Sequence, residues 1–71
     1  MLRQPVASNV LRSVGHEPSS STLELEFADG DVYRYFAVPK SVHAALMDAE
    51  SKGRYFADHI RNVYPCEELR D

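Results

Sequence analysis

The densest group of chemically useful side chains in this sequence is the segment Ser51–Phe56, which holds two cations, a glycine and two aromatic rings. A second group, Tyr33–Tyr35, places an arginine between two tyrosines. Cations attract phosphates and flat rings stack on bases, so both groups have the composition of a nucleic-acid surface. The half-buried rim of a small core has a similar composition. The two segments therefore indicate a binding module without naming its ligand.

The run Lys52-Gly53-Arg54 is the leading candidate for an anion site. A glycine turn into a helix would leave the amides of residues 54–56 free, and the helix dipole would add positive potential. Arg61 lies one helical repeat further along and would extend the same face. An ordinary turn between helices with solvated cations explains the run at least as well, so both interpretations stay open.

The segment Thr22–Phe27 alternates apolar and acidic residues, which is typical of an antiparallel strand with one buried and one wet face. A turn at Asp29-Gly30 leads into a returning strand. A two-residue loop would pair Leu25 with Arg34 and turn the arginine toward the core.

A three-residue loop, with Gly30 in a left-handed bulge, would instead pair Glu24 with Arg34 on the wet side. We prefer this register because it forms an ion pair and buries no charge. It points Tyr33 and Tyr35 toward the core, which favours packing over base stacking for both rings.

The remaining segments complete an α+β domain with a three-stranded antiparallel sheet followed by two α-helices packed on one face. Pro39 suits the first turn of the first helix and Gly53 its left-handed end. Pro65 stops the second helix. The predicted elements are strands over 10–16, 22–27 and 32–37, and helices over 39–53 and 54–63.

We predict three parts: a loose arm over residues 1–8, a single domain over 9–65 and an acidic tail over 66–71. The inward stripe of the second helix should include Val63. The central core is predicted to comprise Leu25, Phe27, Tyr35, Leu46, Phe56 and Ile60.

Composition places limits on function. The 71 residues suffice for one small domain, 44% of them are hydrophobic, and the net charge is −3. Residues 32–65 are mildly basic, with five Lys or Arg against three Asp or Glu. Cys66 is the single cysteine, so a cytoplasmic protein without a disulfide, signal peptide or membrane span is expected. A domain this small could gain stability as a homodimer.

The sequence offers no catalytic or metal constellation. His16, His43 and His59 lack the spacing of metal ligands, and Cys66 is followed by two glutamates that oppose a reactive thiolate. A Walker pattern is absent. We therefore predict no enzyme activity, no metal and no cofactor.

Several spaced segments resemble the KTSC domain family, which is named for a domain at the C-terminus of some lysyl-tRNA synthetases and also occurs as small bacterial proteins. The resemblance implies a possible role in RNA binding, for which the family's Tyr-x-Tyr motif has been proposed and which Tyr33 and Tyr35 carry here. The segments concerned are 23–27, Gly30, 33–35, Val38-Pro39, 51–56, Ile60-Arg61 and Tyr64-Pro65.

The leading hypothesis is a non-enzymatic module that binds RNA or another nucleic acid through the turn at Lys52 and Arg54. The alternative is a protein-interaction module that pairs with itself or a partner through a sheet edge or helix face. The first should bring Lys52, Arg34, Arg54 and Arg61 onto one surface. The second should present an apolar patch or an unpaired edge strand.

Overall fold

In the computed structural model, residues 1–69 form one antiparallel sheet of five strands and two helices that precede the last strand. The strands lie side by side in chain order, and every neighbouring pair is antiparallel. The elements are β1 (Gln4–Pro5), β2 (Leu11–Glu17), β3 (Thr22–Phe27), β4 (Val32–Tyr35), α1 (Lys40–Asp48), α2 (Lys52–His59) and β5 (Cys66–Leu69).

The α+β class and the two helices agree with the sequence prediction. The prediction of a three-stranded sheet was wrong, because the sheet has five strands within residues 1–69. β1 comes from the segment predicted as a loose arm. β5 comes from the predicted acidic tail, of which Arg70 and Asp71 lie outside the described residues. Neither segment alternates apolar and polar residues, so only pairing with a neighbouring strand makes it extended. Gly15 permits the N-terminal approach, since a Cβ there would lie 2.7 Å from the Leu2 carbonyl oxygen.

The hairpin between β3 and β4 adopts the preferred register. Glu24 is opposite Arg34, and Leu25 is opposite Tyr33. Gly30 has a φ of 98° and donates its N–H to the Phe27 carbonyl at 2.9 Å. The predicted bulge is therefore confirmed, and the Arg34 guanidinium lies 3.0 Å from the Glu24 carboxylate.

The helix boundaries differ from the prediction. α1 ends at Asp48, and Gly53 is not its left-handed cap but the second residue of α2. Ser51 caps α2 by accepting the Arg54 N–H, so the helix starts two residues earlier than predicted. It also ends earlier, at His59, because Ile60 leaves the helical conformation with a φ of −121° and the chain then turns at Asn62 with a φ of 65°. Val63 therefore lies beyond α2 and is 57% exposed instead of facing inward.

The core lies between the helices and the face of the sheet that carries Leu23, Leu25 and Tyr35. Five of the six predicted core residues are buried, whereas Phe27 is half-buried. No helix within residues 1–69 is long and apolar enough to cross a bilayer. The buried hydrophobic residues are Leu11, Val14, Leu23, Leu25, Tyr35, Val38, Leu46, Phe56 and Ile60.

Candidate functional site

An open cleft with aromatic walls lies at the turn end of the β3–β4 hairpin, and we refer to it as the aromatic cleft. Its volume is about 620 Å³, within the range usual for small-ligand sites. Most of its walls come from segments far apart in sequence. Its lining residues are Asn9, Val10, Phe27, Ala28, Asp29, Asp31, Tyr33, Tyr35, Phe56 and Arg61.

Four rings in the cleft support one another. The Phe27 and Phe56 rings meet edge to face with centroids 5.3 Å apart, and Tyr35 meets Phe56 in the same manner at 5.7 Å. Tyr33 contacts Phe27 edge to face at 5.7 Å. Such contacts restrain ring orientation and add to the burial energy, so the apolar wall of the cleft is preorganised.

The two tyrosines of the Tyr-x-Tyr segment have different surroundings. Tyr35 is 5% exposed and belongs to the core. Burial, followed by the neighbouring Cys66 thiol, raises the pKa of Tyr35 to about 12. Tyr33 is half-buried and packs against the edge of the core. Tyr33 is therefore the tyrosine better placed to meet a ligand.

Arg61 lines the aromatic cleft, and its guanidinium has no ion pair or hydrogen bond to any residue in the range 1–69. Its positive charge partly opposes the rise in the pKa of Tyr35. The prediction that Arg61 extends the face of Arg54 fails, because α2 ends at His59. Arg61 faces the aromatic rings instead.

A second depression, of about 480 Å³, lies over the first turn of α2. We call it the helix-start depression. It brings together Lys52, Gly53 and Arg54, as the sequence predicted, against an N-terminal segment that the sequence had not connected to them. Its lining residues are Ala7, Ser8, Asn9, Val10, Glu50, Ser51, Lys52, Gly53 and Arg54.

Local contacts occupy several of the donors at this helix start. The Arg54 N–H binds the Ser51 hydroxyl at 3.3 Å, and the Tyr55 N–H binds the Ser51 carbonyl at 3.0 Å. The prediction that these two amides are free was therefore wrong. The Lys52 ammonium donates to the Ala49 carbonyl at 3.1 Å. Arg54 is highly exposed, with its Nε 3.8 Å from Asp58.

Gly53 serves close packing at this point. A Cβ at Gly53 would lie 2.5 Å from Val10 Cγ2 and 2.9 Å from Val10 Cβ. The glycine thus lets the segment before β2 lie against α2. Val10, predicted as an apolar member of the first strand, precedes β2 and contacts the helix start instead.

The aromatic cleft and the helix-start depression adjoin, because Asn9 and Val10 line both. The structure therefore places six of the seven candidate residues around two neighbouring depressions. Asn9 and Asp31 were missed as site residues. The only feature of the sequence that pointed to Asp31 was its place directly after the predicted turn at Asp29-Gly30. No feature of the sequence pointed to Asn9.

Arg34 does not join this surface, so the expected convergence of the four cations does not occur. It lies on the opposite face of the sheet, where it and Arg3 flank Glu24 at 3.0 and 3.3 Å. The expectation that this register buries no charge was wrong, because the Glu24 side chain between the two arginines is only 8% exposed. Strand alternation explains the placement, because Arg34 lies between two residues that face the helices.

The histidines take no part in either depression. His16 and His43 stack with ring centroids 4.9 Å apart and planes inclined by 10°, and His16 Nε2 lies 2.9 Å from the Val38 carbonyl oxygen. Burial, and then the charge of His16, lowers the pKa of His43. No group of three or more candidate metal ligands occurs within residues 1–69. Cys66 is a free, exposed cysteine on β5.

The fold and the sequence of this small α+β domain match one family of domains. The KTSC domain signature covers residues 7–64, and the chain belongs to the KTSC domain family. A KTSC domain protein of Yersinia pestis superposes with a TM-score of 0.92 at 37% identity, over 97% of each chain.

Two relatives place the family in different contexts. An uncharacterized protein of Stutzerimonas stutzeri is 48% identical over 56 residues, which is 79% of each chain. A lysine–tRNA ligase of Nostoc sp. is 41% identical over 59 residues, which is 83% of this chain and 10% of the ligase. The domain therefore resembles both a small protein of similar size and a short segment of a large ligase.

Proposed function

We propose that this KTSC domain is a non-enzymatic module that binds single-stranded RNA along the aromatic cleft and the helix-start depression. One observation carries the proposal: Asn9 and Val10 line both depressions, so aromatic rings and cations form a continuous tract. Sites for single-stranded nucleic acid usually combine aromatic rings, on which bases stack, with cations that bind the phosphates.

The cations of the tract differ in how much each can contribute. Arg61 has no competing partner within residues 1–69, and Arg54 has only a long contact to Asp58. Lys52 already donates to Ala49, although an ammonium group has three donors and two remain. Few phosphates would be neutralised, so binding should be weak and should fall steeply as salt rises.

The relatives support RNA as the ligand. The matching segment occurs within lysine–tRNA ligases, which by name act on a tRNA. A small domain attached to such an enzyme has an RNA close at hand. This context favours RNA over other polyanions as the ligand of the present chain.

Fluorescence anisotropy of a labelled single-stranded RNA tests the proposal at low and at physiological salt. We expect binding at low salt that weakens strongly in Arg61→Glu and in the double variant Lys52→Glu/Arg54→Glu. Lys40→Glu is the control, because it reverses an exposed cation that lines neither depression. The thermal midpoints should stay close to that of the parent.

Absence of any binding at low salt would refute the proposal. Equal losses in Arg61→Glu and Lys40→Glu would also contradict it, because only net charge would then matter. A double-stranded RNA that binds as well as the single strand would argue against the aromatic cleft, since paired bases cannot enter it.

A second candidate function is recognition of a partner protein through β5. Within the described residues, β5 pairs with β4 only and forms one edge of the sheet. Two copies joined at this edge would bring Glu67 and Glu68 close to their own counterparts, which disfavours a homodimer. A partner strand that carries Lys or Arg fits better.

An NMR titration separates the two candidates. A basic peptide in the extended conformation should shift the amide signals of residues 66–69, whereas RNA should shift those around Asn9 and Arg61. If the peptide leaves residues 66–69 unchanged, the β5 candidate fails.

A further inference from the structure

An exposed carboxylate on the wall of the aromatic cleft makes no contact that stabilises the fold. Asp29 and Asp31 both line it, but Asp29 Oδ1 accepts the Asp31 N–H at 3.0 Å and so stabilises the turn. The Asp31 carboxylate has no hydrogen bond or ion pair to any residue within 1–69. Phosphate avoids such a group, so an RNA in this cleft should insert its base and keep its backbone outside.

The chemistry of a carboxylate selects among the bases. A carboxylate offers two acceptor oxygens side by side and no donor. On the Watson–Crick edge, only guanine presents two adjacent N–H donors, N1–H and N2–H. Adenine, cytosine and uracil each place an acceptor next to their donor, and that acceptor would face the second carboxylate oxygen.

We infer that the aromatic cleft takes a single guanine base, with the Asp31 carboxylate accepting from its N1–H and N2–H groups. The inference rests on the proposed function and adds the base to it. The ring of guanine would lie against Tyr33 and Phe27, while Arg61 would meet a phosphate next to it. Because the Watson–Crick edge is hidden in a duplex, the guanine must be unpaired.

The test compares hexamers of uridine that carry one guanosine, one inosine or one adenosine at the same position. Inosine lacks the N2 amino group and so removes one of the two hydrogen bonds. The guanosine hexamer should bind about fivefold or more tighter than either of the others, as a bidentate base contact usually discriminates. The readout is fluorescence anisotropy at low salt.

Asp31→Asn should abolish this preference, because an amide offers one acceptor and one donor in place of two acceptors. Its affinity for the adenosine hexamer should be unchanged or higher, since a negative charge is removed. Asp48→Asn is the matched control, with the same charge change at an exposed site at the end of α1. Circular dichroism confirms that each variant is folded.

The outcomes separate this inference from the proposed function. Equal binding of the three hexamers by the parent, or a guanosine preference that persists in Asp31→Asn, overturns the guanine site and leaves RNA binding in place. No binding of any hexamer overturns both. Asp31-dependent binding of an arginine-containing peptide, without any oligonucleotide binding, would overturn both and assign the cleft to a cationic side chain.

Discussion

The aromatic cleft and the helix-start depression adjoin at Asn9 and Val10, yet they are built differently. The depression takes its charged groups from one short stretch, where Ser51 caps the helix and Lys52 bonds to Ala49. The cleft takes Asp31 from a hairpin turn and Arg61 from beyond α2. In the helix-start depression, groups close in sequence satisfy one another, whereas the Asp31 carboxylate and the Arg61 guanidinium of the cleft remain available.

This difference has a practical consequence for finding sites. A glycine between two cations at a helix start resembles an anion site, but capping uses the same amides that an anion would need. No short sequence pattern marks the cleft. Its Asp31 and Arg61 side chains nevertheless have fewer hydrogen-bond partners within the described residues than the charged groups at the helix start. Four predictions test how each region depends on its surroundings, in order of decreasing effect.

The largest effect is expected for Phe56→Ala, which removes a wall of the cleft. Phe56 is 5% exposed and touches the rings of both Phe27 and Tyr35. The loss in unfolding free energy should be about 3–5 kcal/mol, a large share of the stability of a domain this small. Urea denaturation measures it. Val63→Ala is the control, at an exposed site beyond α2, and should change the unfolding free energy by less than about 0.5 kcal/mol. Comparable losses in the two variants would contradict the core described here.

A smaller effect is expected at the turn that carries Asp29 and Asp31. Gly30 has a φ of 98°, and no atom lies within 4 Å of a Cβ placed there. Gly30→Val should therefore cost about 1–3 kcal/mol through backbone strain alone. Thermal and urea unfolding would measure this cost. Gly30→Asn should lose less, since asparagine tolerates positive φ; a valine variant as stable as the parent would rule out the bulge.

The helix start should respond to Gly53→Ala through its contact with Val10. Overpacking costs about 1–3 kcal/mol, while alanine gains about 1 kcal/mol of helix propensity over glycine. The net loss should be about 1 kcal/mol, measured by urea denaturation. In a Val10→Ala background the closer contact, to Cγ2 at 2.5 Å, is absent, so the loss should shrink. An equal loss in both backgrounds would show that the contact does not matter.

The smallest effect concerns pH and lies away from both depressions. Burial, and then the charge of His16, lowers the pKa of His43 from its usual 6.5. The unfolded chain then binds a proton more readily, so stability is complete above about pH 6.5 and declines as the pH falls below it. Because His16 and His43 are partly solvated, the decline should be the smallest of the four effects.

Urea midpoints measured between about pH 7.5 and about pH 5 would follow this decline. His43→Gln should flatten it, since glutamine carries no charge at any pH in that interval. A decline of the same size in the variant would assign the pH dependence to other groups. Nucleic-acid affinity at fixed stability should not depend on His43, because neither depression includes it.

Much of the hairpin could be predicted from the sequence because its determinants are local. Alternation in Thr22–Phe27 sets which side chains face the helices, and Gly30 is the residue able to adopt the left-handed bulge. Together they determine the Glu24–Arg34 pair. The family resemblance, based on spaced segments, was likewise confirmed.

The candidate site was less predictable. Tyr33 and Arg61 were recognised as candidates, but their meeting in one cleft with Asp31 was not. Arg61 was placed beside Arg54 on the assumption that α2 continues past His59. The helical regularity ends at Ile60, before the left-handed turn at Asn62, and neither residue marks the change as clearly as Gly30 marks the hairpin.

By itself, the sequence determined the class of the fold, the register of β3 against β4 and most of the core, because side-chain period and turn chemistry act over a few residues. Only the tertiary structure decided that β1 and β5 are strands, that Arg34 lies apart from Lys52, Arg54 and Arg61, and that Asp31 and Arg61 share a cleft. Edge strands without alternation form when a neighbour supplies their hydrogen bonds. Which distant side chains then meet depends on how the sheet and helices pack, and local sequence does not encode that packing.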